Sequence, residues 1–388
     1  MSEKRVDKSK EGRHPVRSFL SFLLMLAVVL LVVLFAAYRD GTGFDILRRY
    51  LHYGRAEQVG GETVYHFDAS SKNRFALLGE SLAVLSDASL SLYNSAGQEV
   101  WSTPVTMTAP ALVSGGGRAA AYDVGGTSLY VLDQSGPLLE LTADEEEPYI
   151  SATLNQNGEL AVTAQKKGYK GSVKVYDRAL GPDPSFEFKS SQRFVLDGYV
   201  FGEHLAAVTL GQENGVFVSS IGLYDLSKDA KEPAANYSIS GGLVAAIGEQ
   251  EGRLTTVSDA ALTFANTGGE ITGTYAYGGS YLREYDLGGT GFSALLLNRY
   301  RSGSVGRLVT VDKSGEVLGS LDVREEVLDV SASGRYLAVL YADHLAVYNS
   351  DLQPYATLQG TGEAREVLMR SDGSALLLSG NSASLFLP

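Results

Sequence analysis

Apolar and polar positions fall along this chain in short runs that return at a nearly constant interval. The segment Leu90-Ser91-Leu92-Tyr93-Asn94 reappears as Leu129–Asp133, Val173–Asp177, Ile221–Asp225, Leu262–Asn266, Leu308–Asp312 and Leu345–Asn349. Between the Asn/Asp positions the intervals are 39, 44, 48, 41, 46 and 37 residues. A period of this length, made of short strands, predicts a β-propeller. A nearly unbroken apolar stretch precedes each segment. These are Leu82–Leu85, Ala119–Tyr122, Leu160–Thr163, Leu205–Val208, Leu254–Val257, Ala294–Leu297, Leu337–Leu340 and Ala375–Leu378, eight in all. Such stretches fit strands buried on both faces between neighbouring blades. They are expected to be second strands, with the returning segments as third strands and Ala383–Leu387 as the eighth.

Turn chemistry supports the same unit. Asn94-Ser95-Ala96-Gly97, Asp133–Gly136, Asn266–Gly269 and Asp312–Gly315 each place an Asx side chain where a turn opens and a glycine where it needs positive φ. Fourth strands such as Glu99-Val100-Trp101 and Glu316-Val317-Leu318 follow. The eighth unit lacks a fourth strand, and Glu62–Asp68 has strand character without a repeat partner. That segment is expected to complete the eighth blade and close the ring, removing an open edge. A seven-bladed ring with one irregular unit is the alternative.

Ahead of the repeats, 19–38 is apolar apart from Ser21 and Tyr38 and carries no charge. Twenty helical residues reach roughly 30 Å, a bilayer's hydrocarbon thickness. Lys4, Arg5, Lys8, Lys10, Arg13 and Arg17 precede it, so the positive-inside tendency puts the N-terminus in the cytoplasm. The run is long for a signal-peptide core, and Phe35 is a poor residue for cleavage after Ala37. The expected layout is a cytoplasmic tail over 1–18, a single transmembrane helix over 19–38, a juxtamembrane helix and linker over 39–61, and an extracytoplasmic propeller over 62–388. Thr42, Asp45 and Gly54 mark the ends of the juxtamembrane helix, with Phe44, Leu47 and Leu51 on one side. It is read either as an interfacial helix or as a spacer.

Composition narrows the chemistry. Without cysteine, there is no disulfide, thiolate metal site or cysteine nucleophile. Residues 1–40 hold seven Lys/Arg against four Asp/Glu, leaving 25 against 41 for the rest. An acidic ectodomain repels phosphate backbones, so nucleic acid is not an expected partner. His14, His52, His66, His204 and His344 show no metal-ligand spacing, and His66 and His344 are read as strand-surface residues. No nucleophile elbow, P-loop or dinucleotide fingerprint occurs, and the Ser114–Gly117 run has no helix after it. No catalytic residue, metal or cofactor is expected. Asp144–Glu147 reads as a solvated acidic loop.

Two turns between second and third strands reverse the local charge. They are Lys166-Lys167-Gly168-Tyr169-Lys170 and Asn298-Arg299-Tyr300-Arg301. Cations beside tyrosines suit an anionic or carbohydrate-bearing ligand through charged hydrogen bonds and ring stacking. Lys166, Lys167, Tyr169, Lys170, Arg299, Tyr300 and Arg301 are therefore the candidate binding residues. The competing reading is that Glu145–Glu147 simply pairs with Lys166 and Lys167.

This layout, a basic tail, one span and a Cys-free propeller of Leu-x-Leu-Tyr-Asn-x-x-Gly units, resembles an uncharacterised family of clostridial-type bacterial membrane proteins over roughly 15–388. Asn94–Trp101 also resembles a quinoprotein-type propeller repeat. Trp101 is the sole tryptophan, so the tryptophan ring of such repeats is missing. The family resemblance implies no activity and no catalytic residues. Taken together, the sequence points to an eight-bladed propeller that binds or scaffolds an envelope protein or wall polymer. The alternative is an envelope enzyme that acts on carbohydrate through acids in the channel.

Overall fold

Each turn that ends a third strand is organised by one side chain. Asn94 Oδ1 accepts from the backbone N–H groups of Ala96 and Gln98, both at 3.0 Å. Asn266, Asp312 and Asn349 repeat the arrangement in their own units. The side chain satisfies amides that a tight turn would leave unpaired.

The computed structural model describes residues 15–40, 42–54, 58–227, 232–240 and 242–388. Two units divide the chain, Met1–Glu57 and Gln58–Pro388. In the second, eight four-stranded antiparallel sheets form the blades. Blades 1 to 7 run Arg74–Pro104, Pro110–Thr142, Tyr149–Ser190, Phe194–Ser240, Val244–Ala276, Tyr281–Val323 and Val327–Gln359. Blade 8 takes Glu366–Met369, Ala375–Leu378 and Ser382–Leu387 from the C-terminus. Its fourth strand is Gln58–His66, antiparallel to Ser382–Leu387. The expected closure and the count of eight are both present. The strand starts four residues earlier than Glu62, with a register shift between Gln58 and Glu62.

Glycine packing gives the closing strand the same role as any other fourth strand. A Cβ on Gly269 would press on Asn236, and one on Gly315 on Thr274, each in the fourth strand of the preceding blade. On Gly97 it would run into the carbonyl oxygen of Val64, in the closing strand. Blades 3 and 7 place Leu180 (φ 53°) and Leu352 (φ 57°) at the equivalent turn position. Both leucines are buried, which offsets the left-handed strain.

First strands touch those of adjacent blades, so they surround the channel. Since neighbouring blades are separate sheets, side chains bridge them. Ser151, Thr153 and Asn155 donate to the carbonyls of Leu196, Gly198 and Val200 in the next blade. The core is the set of apolar layers between blades, such as Leu296, Leu308, Val330 and Leu337.

In the first unit, α1 is Pro15–Asp40 and α2 is Thr42–Tyr53, which ends at Gly54 with φ 68°. Side chains from Phe19 to Val33 are exposed. Phe44, Leu47 and Leu51 of α2 are exposed as well. Among the described residues no helix is long and apolar enough to cross a membrane. Most of the expected basic tail, residues 1–14, lies outside the described residues.

Candidate functional site: an aromatic and cationic face

Antiparallel strand order puts second-to-third-strand turns and blade connectors on one side of the ring, here the upper face. Third-to-fourth-strand turns occupy the lower face. Both candidate turns are therefore on the upper face, but blades 3 and 6 are three positions apart in the ring of eight and do not form one cluster.

The two turns differ in electrostatics. Lys166 Nζ lies 2.8 Å from Glu147 Oε2, and Lys167 Nζ lies 2.6 Å from Glu146 Oε2, on the connector into blade 3. Lys166 holds the Glu147 carboxyl below its ordinary value. The acidic connector thus neutralises Lys166 and Lys167, and of the two pairs the exposed Lys167–Glu146 one adds little stability. Lys170 Nζ sits 5.0 Å above the ring of Phe194, and Tyr169 is exposed. In blade 6, Arg299 stacks 5.8 Å from the centroid of Tyr300, and Arg301 5.5 Å from that of Tyr281. Among the described residues, neither arginine has a carboxylate partner.

Phe194, Phe217 and Tyr281 are additions that sequence reasoning missed. The described propeller has five exposed aromatic side chains: Tyr169, Phe194 (57%), Phe217 (58%), Tyr281 and Tyr300 (59%). All five lie on the upper face. Exposed aliphatics near the other side (Val100, Leu138, Ile271, Val317 and Leu318) are at the starts of fourth strands. Phe217 is lifted by blade 4, whose second and third strands have 10 residues each. Arg193 braces this hairpin by reaching Glu213 at 3.0 Å and the Val218 carbonyl. The 48-residue interval between Asp177 and Asp225, the longest in the repeat, was the signal for it.

A second group lines the channel. Asp197, Glu249, Glu284, Asp286, Asp329 and Glu366 all belong to first strands. A β-bulge falls just before Asp197 and Asp329 and re-aims them. Asp329 accepts from Val367 N–H at 2.7 Å, and Asp286 from Ala332 N–H at 3.0 Å, each across a blade boundary. Asp197 accepts from Ser151 Oγ at 2.7 Å. Burial pushes Asp329 up to about 8, aided by Glu284 and Glu366 and opposed by the Val367 amide. Burial likewise pushes Asp197 and Asp286 up to about 6. Glu249, Glu284 and Glu366 move the same way for the same reason. These carboxyls favour the protonated form because enclosed charge is costly.

One further group could hold a metal. Ligand atoms of Glu325, Asp343 and His344 lie within 4.8 Å of one another on the upper rim, the one such group among the described residues. His344 opens the third strand of blade 7, consistent with a strand-surface position.

Solved structures share the fold. BamB from Moraxella catarrhalis is similar at a TM-score of 0.53 and 13% identity, over 84% of this chain and 97% of that one. Apo AztD from Citrobacter koseri is similar at 0.50 and 12%, over 78% and 88%. The quinohemoprotein alcohol dehydrogenase ADHIIG from Pseudomonas putida HK5 is similar at 0.53 and 9%, over 84% and 75%. At these identities the likeness concerns architecture only. No curated protein matches the chain in sequence. One family model matches residues 55–355, described as a family of unknown function (DUF5711).

Proposed function

The chain belongs to the DUF5711 family of unknown function, and from that premise we propose that it is a membrane-anchored propeller whose upper face docks another protein of the cell envelope. The observation that carries the docking reading is the gathering, among the described residues, of every exposed propeller aromatic on one face, three of them under a cation. Tyrosine and arginine are the residues that concentrate binding energy at protein interfaces. Arg299, Tyr300 and Arg301 form the main anchor, with Tyr281 beside them. Lys166, Lys167, Tyr169 and Lys170 form a second contact near Phe194 and Phe217. A wall polymer is the alternative occupant.

Anchoring is supported by the uncharged run over 19–38, by the helical conformation of α1 and by the exposed side chains from Phe19 to Val33. With basic residues ahead of it, the segment would act as a single-pass signal anchor, leaving the propeller outside the cell. Crosslinking in native membranes tests the docking, comparing the full-length protein with Arg299→Glu/Arg301→Glu. A specific partner lost in the variant supports the proposal. An unchanged partner profile would refute it, and recovered glycan would favour the wall polymer.

A second reading is an envelope enzyme acting on carbohydrate. In its favour, Glu284 and Glu366 both influence Asp329 and, among the described residues, make no side-chain hydrogen bond of their own. A raised carboxyl beside a second carboxylate is the pairing that glycoside hydrolysis uses. Against it, Asp329 commits its oxygens to the backbone N–H groups of Val330 and Val367. Release of reducing ends from purified wall material, abolished by Glu284→Gln or Glu366→Gln, would establish this reading. Absence of any release by the wild-type protein would eliminate it.

A further inference from the structure

Independently of the docking proposal, we infer that Glu325, Asp343 and His344 bind one divalent transition-metal cation on the upper rim of blade 7. Asp343 and His344 follow the second strand, Tyr336–Tyr341, and lead into the third, His344–Asn349. Glu325 comes from the connector between blades 6 and 7. One ligand atom of each lies within 4.8 Å of the others. Two atoms each about 2.1 Å from a zinc ion are at most about 4.2 Å apart. Small rotations of the two exposed carboxylates close that difference, with no movement of the blade.

The imidazole separates this group from an ordinary acidic patch. Its ring lies flat on Tyr341, with centroids 4.4 Å apart and an interplanar angle of 10°. On its edge, Nδ1 is 2.7 Å from Asp343 Oδ1. Stacking and hydrogen bonding together fix the ring before any ion arrives, which lowers the ordering cost of binding. A cation takes the place of the proton that Nδ1 and Oδ1 share, making both atoms ligands, and Glu325 supplies the third. Two carboxylates balance the double charge. One nitrogen and two oxygens suit zinc, cobalt or manganese, and the remaining coordination positions open to solvent. The chain has no cysteine to compete for such an ion.

Cobalt is the probe, because its visible absorption reports coordination directly. Full-length protein stripped with chelator is titrated with Co2+, and the complex is then challenged with Zn2+. The expected result is one equivalent of absorbing cobalt that zinc displaces. His344→Ala and Glu325→Gln should each weaken binding by about tenfold or more. Glu325→Gln should melt with the wild-type protein, since that side chain is exposed, so its weaker binding is read without a change in the fold. No cobalt band, or a titration unchanged by His344→Ala, would overturn the site. Either failure leaves the docking proposal untouched, because that rests on the Arg299 and Arg301 crosslinking result.

Discussion

At the scale of single residues, repeated chemistry decides the fold more than propensity does. Asn94 holds two turn amides through one oxygen, so Asn94→Ala should cost about 1–2 kcal/mol, measured by urea unfolding. Glycine matters for two separable reasons. Gly97 (φ 77°) and Gly117 (φ 76°) share a left-handed backbone, but only Gly97 has a neighbour where a Cβ would go. Gly117→Ala should lose about 1 kcal/mol to strain alone. Gly97→Ala should lose more and raise amide exchange in Val64–His66. Equal losses would mean that the turn does not seat on the closing strand.

Asp329 gives a pH dependence with a definite sign. Its folded value of about 8 lies above the ordinary carboxylate value of about 4 in the unfolded chain. The unfolded state therefore releases its proton first as pH rises. Stability contributed by this group is full below about pH 4 and falls between about 4 and 8. Asp197 and Asp286, at about 6, add to the loss in the lower half of that window. Asp329→Asn should flatten the decline of the urea midpoint over this range, whatever its effect on absolute stability. A wild-type slope retained in the variant would show that Asp329 is ionised in the fold.

At the scale of elements, legibility followed burial. Second strands such as Tyr336–Tyr341 are buried at every position, and their unbroken apolar runs were visible in the sequence. Third strands of blades 1 to 7 were visible because each hands over to an Asx turn. First strands were not, since Ser151, Thr153 and Asn155 spend alternate positions on hydrogen bonds to the next blade. The channel carboxylates were hidden for the same reason, and their aim depends on bulges that no periodicity announces. The closing strand was found by elimination, as the one segment left without a partner. Tyr65 anchors it, being buried against Tyr93 with ring centroids 6.3 Å apart. Tyr65→Ala should cost about 3–5 kcal/mol, whereas Phe194→Ala on the open face should be nearly neutral, both read by denaturant unfolding.

At the scale of the whole molecule, the candidate site was half legible. Charge and tyrosine in the two turns drew attention to the face on which the five exposed aromatics of the described propeller lie. The competing reading, that the acidic connector pairs with Lys166 and Lys167, is what Glu147 and Glu146 do, whereas the stacking of Arg299 and Arg301 on Tyr300 and Tyr281 had no signal in the sequence. The proposed membrane anchoring and its orientation are directly testable because the chain lacks cysteine. In intact cells an impermeant maleimide should label Ser135→Cys and spare Lys10→Cys. The reverse pattern would place the propeller in the cytoplasm.

On the proposed function, a partner sits on the aromatic face. Photo-crosslinking residues placed at Phe217 and Tyr300, and at Leu138 and Ile271 on the other side of the ring, test it in native membranes. The expected result is one shared crosslinked protein from Phe217 and Tyr300, and none in common with Leu138 or Ile271. Capture of the same protein from Leu138 and Ile271, with neither upper-face position reacting, would contradict it.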